Sequence, residues 1–234
     1  MVDESKRLKP KVIAIDGPAG SGKTTLASLL AKTLDYLYLD TGEMYRALTW
    51  AALRDQVDIN DGGAVTRLAQ RVEIDVHPSK IADGRVNDVL LNGQDVTWEI
   101  RRPEVESNVS IVAAYPDVRH EMTVKQRQIG LRGNVVMAGR DIGTVVFPDA
   151  ELKIYLDASA EERARRRFSE NQARGFTLPY DEILASMRRR DEIDSTREVA
   201  PLRPAEDAVL VDSDELSVDE VLKKVLFLLG KINR

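Results

Sequence analysis

The residues whose type and spacing most plainly suit chemistry lie near the amino terminus. Gly17-Pro18-Ala19-Gly20-Ser21-Gly22-Lys23-Thr24, with Thr25 next, fits the phosphate-loop spacing G-x-x-x-x-G-K-[ST]. Such a loop works through its backbone: glycines let successive N–H groups converge on phosphate oxygens, and the following helix N-terminus adds partial positive charge. Lys23 then reaches the terminal phosphates, and the Thr24 hydroxyl can serve a Mg²⁺ ion carried with ATP. The flanks suit this use. A β-branched run, Val12-Ile13-Ala14-Ile15, precedes the loop, and Leu26, Leu29, Leu30 and Leu34 follow it at helical spacing.

A phosphate loop does not choose among kinases, GTPases and motors. No N-K-x-D base-reading segment of a GTPase occurs, and the chain is short for a motor, which leaves small-molecule kinases. These need a second pocket, which in open α/β sheets lies beyond the carboxyl ends of the strands. Three segments are candidates. Leu39-Asp40-Thr41-Gly42-Glu43-Met44-Tyr45-Arg46 and Gly139-Arg140-Asp141-Ile142-Gly143-Thr144 each put an arginine just past a strand, suited to bidentate capture of phosphate. In Arg190-Asp191-Glu192-Ile193-Asp194-Ser195-Thr196-Arg197, the spacing predicts Arg190, Asp194 and Arg197 along one helix face.

The elements that must position these groups read as α/β. Short apolar runs at Val12–Asp16, Leu37–Asp40, Val135–Ala138, Leu152–Leu156 and Val209–Val211 alternate with helical patterns, as in a parallel sheet covered on both faces. Between about Arg71 and Thr97 the pattern changes. Val72, Ile74 and Val76, then Val86, Val89 and Leu91 among Gly84, Asn92 and Gly93, predict a small antiparallel insert. From about Ser159 to Arg197 arginines crowd the chain (Arg163, Arg165, Arg166, Arg167, Arg174, Arg188, Arg189, Arg190, Arg197), with Gly175, Phe176 and Pro179 interrupting. That reads as two helices joined by a turn able to open and shut over phosphate. A capping box at Ser217 and Glu220 starts a last helix, with Val221, Leu222, Val225, Leu226, Leu229 and Ile232 as its buried stripe.

Composition bounds the rest. The 234 residues suit one large domain with an insertion, and a net charge of -5 makes the whole molecule a poor trap for nucleic acid. With no cysteine, disulfides, thiolate metal sites and a thiol nucleophile are excluded, in keeping with a reducing compartment. Met1 to Lys11 lacks the apolar core of a signal peptide and no apolar run suffices to span a bilayer, so a soluble cytoplasmic protein is expected. His77 and His120 have no partner at ligand spacing and read as ordinary surface or core residues.

The strings I-D-G-P-A-G-S-G-K-T-T, L-D-T-G-x-M-Y-R, V-A-A-Y-P-D-V-R, G-R-D-I-G-T-V-V-F-P-D-A, E-R-A-R-R-R and R-D-E-I-D-S-T-R, in this order from Ile15 to Arg197, resemble the bacterial cytidylate kinases. The resemblance implies a P-loop core with a five-stranded parallel sheet flanked by helices, a small antiparallel β insert, an arginine-rich helical lid, and a monomer. It implies a division into core at 1–67, nucleoside-monophosphate-binding insert at 68–108, core at 109–157, lid at 158–180 and core at 181–234. Carried onto this chain, it puts the cytosine-reading groups at Ser110, Arg119 and Asp141 and the ribose contacts at Arg190 and Asp194. Arg46, Arg140 and Arg197 would hold the monophosphate, Thr41 and Tyr45 would line the pocket, and Arg163 and Arg167 would meet the transferring group. The candidate catalytic set is then Lys23, Arg140, Asp141, Arg163, Arg167 and Arg197, with Gly17 to Thr25 binding ATP and Thr24 serving the metal. Glu43 departs from the small residue common in the family, and it is expected to face outward at its helix N-terminus, where negative charge is favourable.

The activity implied is ATP-dependent phosphorylation of CMP and dCMP in pyrimidine metabolism, with Mg²⁺, by in-line transfer. It needs no general base, because the second phosphate pKa near about 6 leaves the attacking oxygen largely deprotonated at neutral pH. A kinase for UMP, AMP or a hydroxylated metabolite, and a non-catalytic nucleotide sensor or RNA-associated P-loop protein, are the competing readings.

Overall fold

The computed structural model of the chain describes residues 10–173, 175 and 177–232, so the expectations placed on Arg174 and Phe176, and on the Ile232 side chain, lie outside what is described. Strand β1 (Val12–Asp16) leads through the glycine-rich loop into helix α1 (Lys23–Leu34), then β2 (Leu37–Asp40) and α2 (Thr41–Arg54). Helix α3 (Gly62–Arg71) precedes three short strands, β3 (Ile74–Pro78), β4 (Asn87–Leu91) and β5 (Gln94–Asp95). Helices α4 (Pro103–Val112) and α5 (Pro116–Gly130) return the chain to β6 (Val135–Gly139), a π-helical turn at Ile142–Val146, and β7 (Leu152–Asp157). Helices α6 (Ala160–Ala173) and α7 (Tyr180–Thr196), strand β8 (Val209–Asp212) and helix α8 (Val218–Ile232) complete it.

The main sheet has five parallel strands in the order β2-β6-β1-β7-β8, as the alternating runs predict. Alternation along each strand divides the interior. Ala14, Leu39, Val135 and Met137 face the side covered by α2 and α5, while Ile13, Ile15, Tyr38, Val136, Ile154 and Leu156 face α1 and α8. Parallel strands buried on both faces are mostly apolar, so most of their polar residues collect at the carboxyl ends. The three-stranded sheet, β3-β4-β5, is antiparallel. Its inward residues, Ile74, Val76, Val89 and Leu91, join the same apolar cluster as Met44 and Leu48 of α2, so it shares the main core.

Two expectations need local correction. Val86 precedes β4 and is exposed, because the buried register of that strand is Asn87, Val89 and Leu91. Helix α7 stops at Thr196, and Arg197 is its extended C-cap (φ −62°, ψ 143°), so Arg197 reaches inward from beyond the helix and not from its face. The capping box of α8 forms as predicted: Ser217 N and Oγ donate to Glu220 Oε2 at 2.9 and 2.6 Å.

Candidate active site

The loop between β1 and α1 approaches β7 so closely that a Cβ at Gly17 would lie 2.1 Å from the Leu156 carbonyl oxygen. Gly22, the N-cap of α1, has φ 91°, a left-handed conformation that glycine adopts at little cost, and no side chain caps the helix. The α1 N-terminus therefore presents its dipole and first-turn amides to an anion. Lys23 is buried and donates from Nζ to Pro18 O at 2.8 Å. Burial, then the neighbouring Arg140, pulls its ammonium well below the usual lysine range, while Asp40 and Asp194 oppose the shift. Beside Lys23, Thr24 Oγ1 donates to Asp40 Oδ2 at 3.1 Å, and Asp40 Oδ1 caps α2 by accepting from Gly42 N at 2.9 Å.

Across from the loop, five arginines share three carboxylates. Arg46 of α2 donates to Glu106 of α4 from Nε and Nη2 (3.2 and 3.1 Å), and Arg190 of α7 reaches the other Glu106 oxygen at 2.5 Å. Arg140, just past β6, donates to Asp194 at 2.7 Å, and Arg197 lies 3.5 Å from the second Asp194 oxygen. Arg119 of α5 pairs with Asp141 at 2.5 Å, both buried. Burial alone would raise the Asp194 carboxyl, but Arg140 and Arg197 outweigh it and hold it below the ordinary range. Cationic surplus is plain in the hydrogen bonds too. Arg119 Nε, Arg190 Nε and Arg197 Nη2 are buried without a protein acceptor, an expensive arrangement unless a ligand or ordered water supplies oxygen atoms.

The inner end of this pocket is fixed by a residue to which the motif reading assigned no role. Asp16, the last residue of β1, accepts from Ile142 N and Gly143 N, both at 2.8 Å, and so anchors the turn that carries Asp141. Burial, only partly opposed by these two bonds, pushes its carboxyl up to about 6. Its signal in the sequence was a carboxylate ending an otherwise apolar strand. Tyr45 packs its ring 5.5 Å from the Arg119 guanidinium, and burial pushes its phenol up to about 12. Thr41 donates to Ala138 O at 3.0 Å, tying α2 to the end of β6.

The arginine-rich helices stack on the loop. Arg163 is buried and clamped, with Nε on Ala158 O, Nη1 on Ala19 O at 3.0 Å, and Nη1 and Nη2 on Asp191 at 3.0 and 2.5 Å. It joins α6, α7 and the phosphate loop. Arg167, one turn on, is less buried and faces Glu106 at 4.0 Å and Glu170 at 3.5 Å. Ser110 is half-buried on α4, one turn after Glu106.

Glu43 overturns its expected outward orientation. It is buried, accepting from Asn87 Nδ2 of β4 at 3.2 Å and lying 3.4 Å from Arg101 Nη2. The β3–β4 hairpin packs over α2 and encloses its first turn, which a reading of α2 alone could not reveal. Burial and then nearby Asp40 push the Glu43 carboxyl up to about 7, against the opposing pull of Asn87 and Arg101.

For a metal, among the described residues no group of three or more His, Cys, Asp or Glu side chains could hold one. The Thr24 hydroxyl beside Asp40 is an oxygen-donor pair suited to Mg²⁺ that keeps most of its shell in water and phosphate.

Kinship extends beyond the site. The cytidylate kinase family model matches residues 13–231. A cytidylate kinase of Roseiflexus castenholzii is 55% identical over 218 residues, covering 93% of this chain and 92% of its own. That of Bacillus velezensis is 49% identical, covering 95% and 97%, and that of Bacillus subtilis 50%, covering 92% and 94%. A phosphate loop opposed by an arginine-lined pocket, in a chain similar to these enzymes from end to end of the described fold, places the protein: it belongs to the cytidylate kinase family and is a nucleoside monophosphate kinase.

Proposed function

We propose that this enzyme, which phosphorylates CMP with ATP, also accepts dCMP and moves the γ-phosphoryl group in line between nucleotides held on opposite sides of the carboxyl edge of the sheet. The observation that carries this reading is the cluster of five arginines on three carboxylates, with three buried guanidinium N–H groups lacking acceptors, facing Lys23. ATP lies along Gly17–Thr25, with its terminal phosphates at Lys23. The acceptor phosphate is taken by Arg46, Arg140 and Arg197, the ribose by Arg190 and Asp194, and cytosine by Arg119, Asp141 and Ser110, with Thr41 and Tyr45 as walls.

Transfer then depends on position and charge. Mg²⁺, held at Thr24 with Asp40 behind it, would neutralise β- and γ-phosphate charge. Lys23 and Arg140 stabilise charge that gathers on the moving group, and no side chain has to remove a proton because the acceptor phosphate ionises near about 6. Arg167, the freer of the two lid arginines, closes on the reacting phosphates, while Arg163 holds α6 against the loop. Segments 68–108 and 158–180 act as the acceptor-side insert and lid on the core.

The lack of cysteine supports a reducing compartment and the acidic charge balance an enzyme that does not trap nucleic acid, while the family resemblance implies a monomer; among the described residues no helix is long and apolar enough to cross a bilayer. The test is ADP release with a panel of acceptors. CMP and dCMP should lead UMP and AMP by at least about a hundredfold in kcat/KM, and equal rates with UMP would overturn the base-reading assignment. Transfer from a γ-phosphate made chiral with oxygen isotopes should invert at phosphorus, and retention would exclude a single in-line step.

A further inference from the structure

Among the carboxylates of the pocket, Glu106 is distinguished by its exposure. Asp141 and Asp194 have side chains 6% and 9% exposed and are fixed in place, whereas that of Glu106 is 36% exposed and has solvent to retreat to. Yet it gathers the most arginines. One oxygen takes two bonds from Arg46, the other takes Arg190 at 2.5 Å, and Arg167 approaches at 4.0 Å. Four helices, α2, α4, α6 and α7, meet at this one group. Burial opposes its ionisation, but Arg46 and Arg190 outweigh that and pull its carboxyl down to about 2, so it stays an anion throughout the working range. A carboxylate between two or three guanidinium groups reproduces the charge-assisted, bidentate bonding that these groups give a phosphate, with about half its charge.

We propose that Glu106 is a built-in competitor of the acceptor nucleotide: it holds Arg46, which the acceptor phosphate must win, and Arg190, which the ribose must win, and thereby sets acceptor affinity and excludes small anions. This rests on the reading that Arg46 and Arg190 face the acceptor. Without Glu106, Arg46 and Arg190 would be left to capture inorganic phosphate or any polyphosphate tail. With Glu106 present, an anion gains only the difference between its own bonds and those it displaces. A bare phosphate gains little. CMP brings a base and a ribose to Arg119, Asp141 and Asp194, and that added binding free energy drives the exchange. Ser110 stands one turn beyond Glu106 on the same face of α4, so the helix that serves the base end also delivers the competing charge to the phosphate end.

The test is calorimetric titration of the wild-type protein, Glu106→Gln and Glu106→Asp with CMP alone and with inorganic phosphate alone, beside kcat and KM for CMP. Glu106→Gln keeps the shape and removes the charge. It should tighten CMP about tenfold and phosphate by at least as much, with the change carried by KM and no gain in kcat. Glu106→Asp, drawn back by one methylene, should fall between. The tightening should vanish in an Arg46→Met background, because the competitor acts through that arginine. Unchanged or weaker CMP binding by Glu106→Gln, or a gain that survives Arg46→Met, would show that Glu106 only braces the helices or orients the arginines. If Arg46→Met alone left CMP binding intact, the acceptor-pocket reading itself would fall, whereas weak CMP binding by Arg46→Met without tightening by Glu106→Gln would sink the competitor alone.

Discussion

Replacing Arg119 by methionine should collapse discrimination between CMP and UMP. The Arg119 side chain is 3% exposed; its Nη2 lies 2.5 Å from Asp141, its Nη1 donates to Ala113 O at 3.0 Å, and its buried Nε has no acceptor in the protein. Arginine can only donate and an ionised Asp141 can only accept. Cytosine matches them, with acceptors at O2 and N3 and a donor at N4, whereas uracil sets a donor at N3 and an acceptor at O4 against like groups. Losing a hydrogen bond to a charged donor costs CMP about 1.5–3 kcal/mol, and removing the clash relieves UMP of about 1–3 kcal/mol. The kcat/KM ratio of CMP over UMP should therefore narrow by about a hundredfold or more. The substitution also strips a buried carboxylate of its partner, worth about 3–5 kcal/mol of stability. That loss reduces both activities alike, so the ratio is the informative quantity, measured by ADP release at equal fractions of folded protein. Arg46→Met should harm both acceptors about equally. An unchanged ratio in Arg119→Met would refute the reasoning and move base reading elsewhere.

Three further outcomes are expected. Lys23→Ala should lower kcat by at least about a hundredfold with the fold retained by circular dichroism, because the ammonium acts on charge that develops in transfer; near-normal turnover would remove the phosphate-loop assignment. Glu43, whose carboxyl rises from 4.5 to about 7 on folding, binds its proton more tightly in the folded state, so stability drains away as pH climbs from about 4.5 to about 7. Glu43→Gln should then raise the melting temperature at pH 8, by at most about 3 kcal/mol of stability, and do almost nothing below pH 4.5; an equal increment at both pH values would count against a buried charged carboxylate. Hydrogen exchange along α6 should slow more with a bisubstrate analogue than with either nucleotide alone, since two polyanions together screen the repulsion among its arginines, and equal protection in all states would make α6 a fixed face.

The phosphate loop was legible in the sequence because its function is local. The spacing from Gly17 to Thr24 determines where amides and the Lys23 ammonium point once a strand precedes and a helix follows, and no distant residue has to agree. Strand alternation and the Ser217–Glu220 capping box are local in the same sense, and both appear as read. Arginine placement past the strand ends was legible as well, since mostly apolar parallel strands concentrate polar side chains there. What each arginine touches was not. Glu106 and Arg190 are separated by 84 positions and Arg163 and Ala19 by 144, and pairings at such separations follow from the way helices pack across the sheet. Asp16 bonding to the Ile142–Gly143 turn and Glu43 turning inward beneath Asn87 belong to the same class. A carboxylate's role depends on which cations surround it and how much water it keeps, and those are properties of the folded interior: for Asp16, Glu43 and Glu106 the chain specified the acid, while the tertiary structure decided whether it anchors, is held partly neutral, or competes.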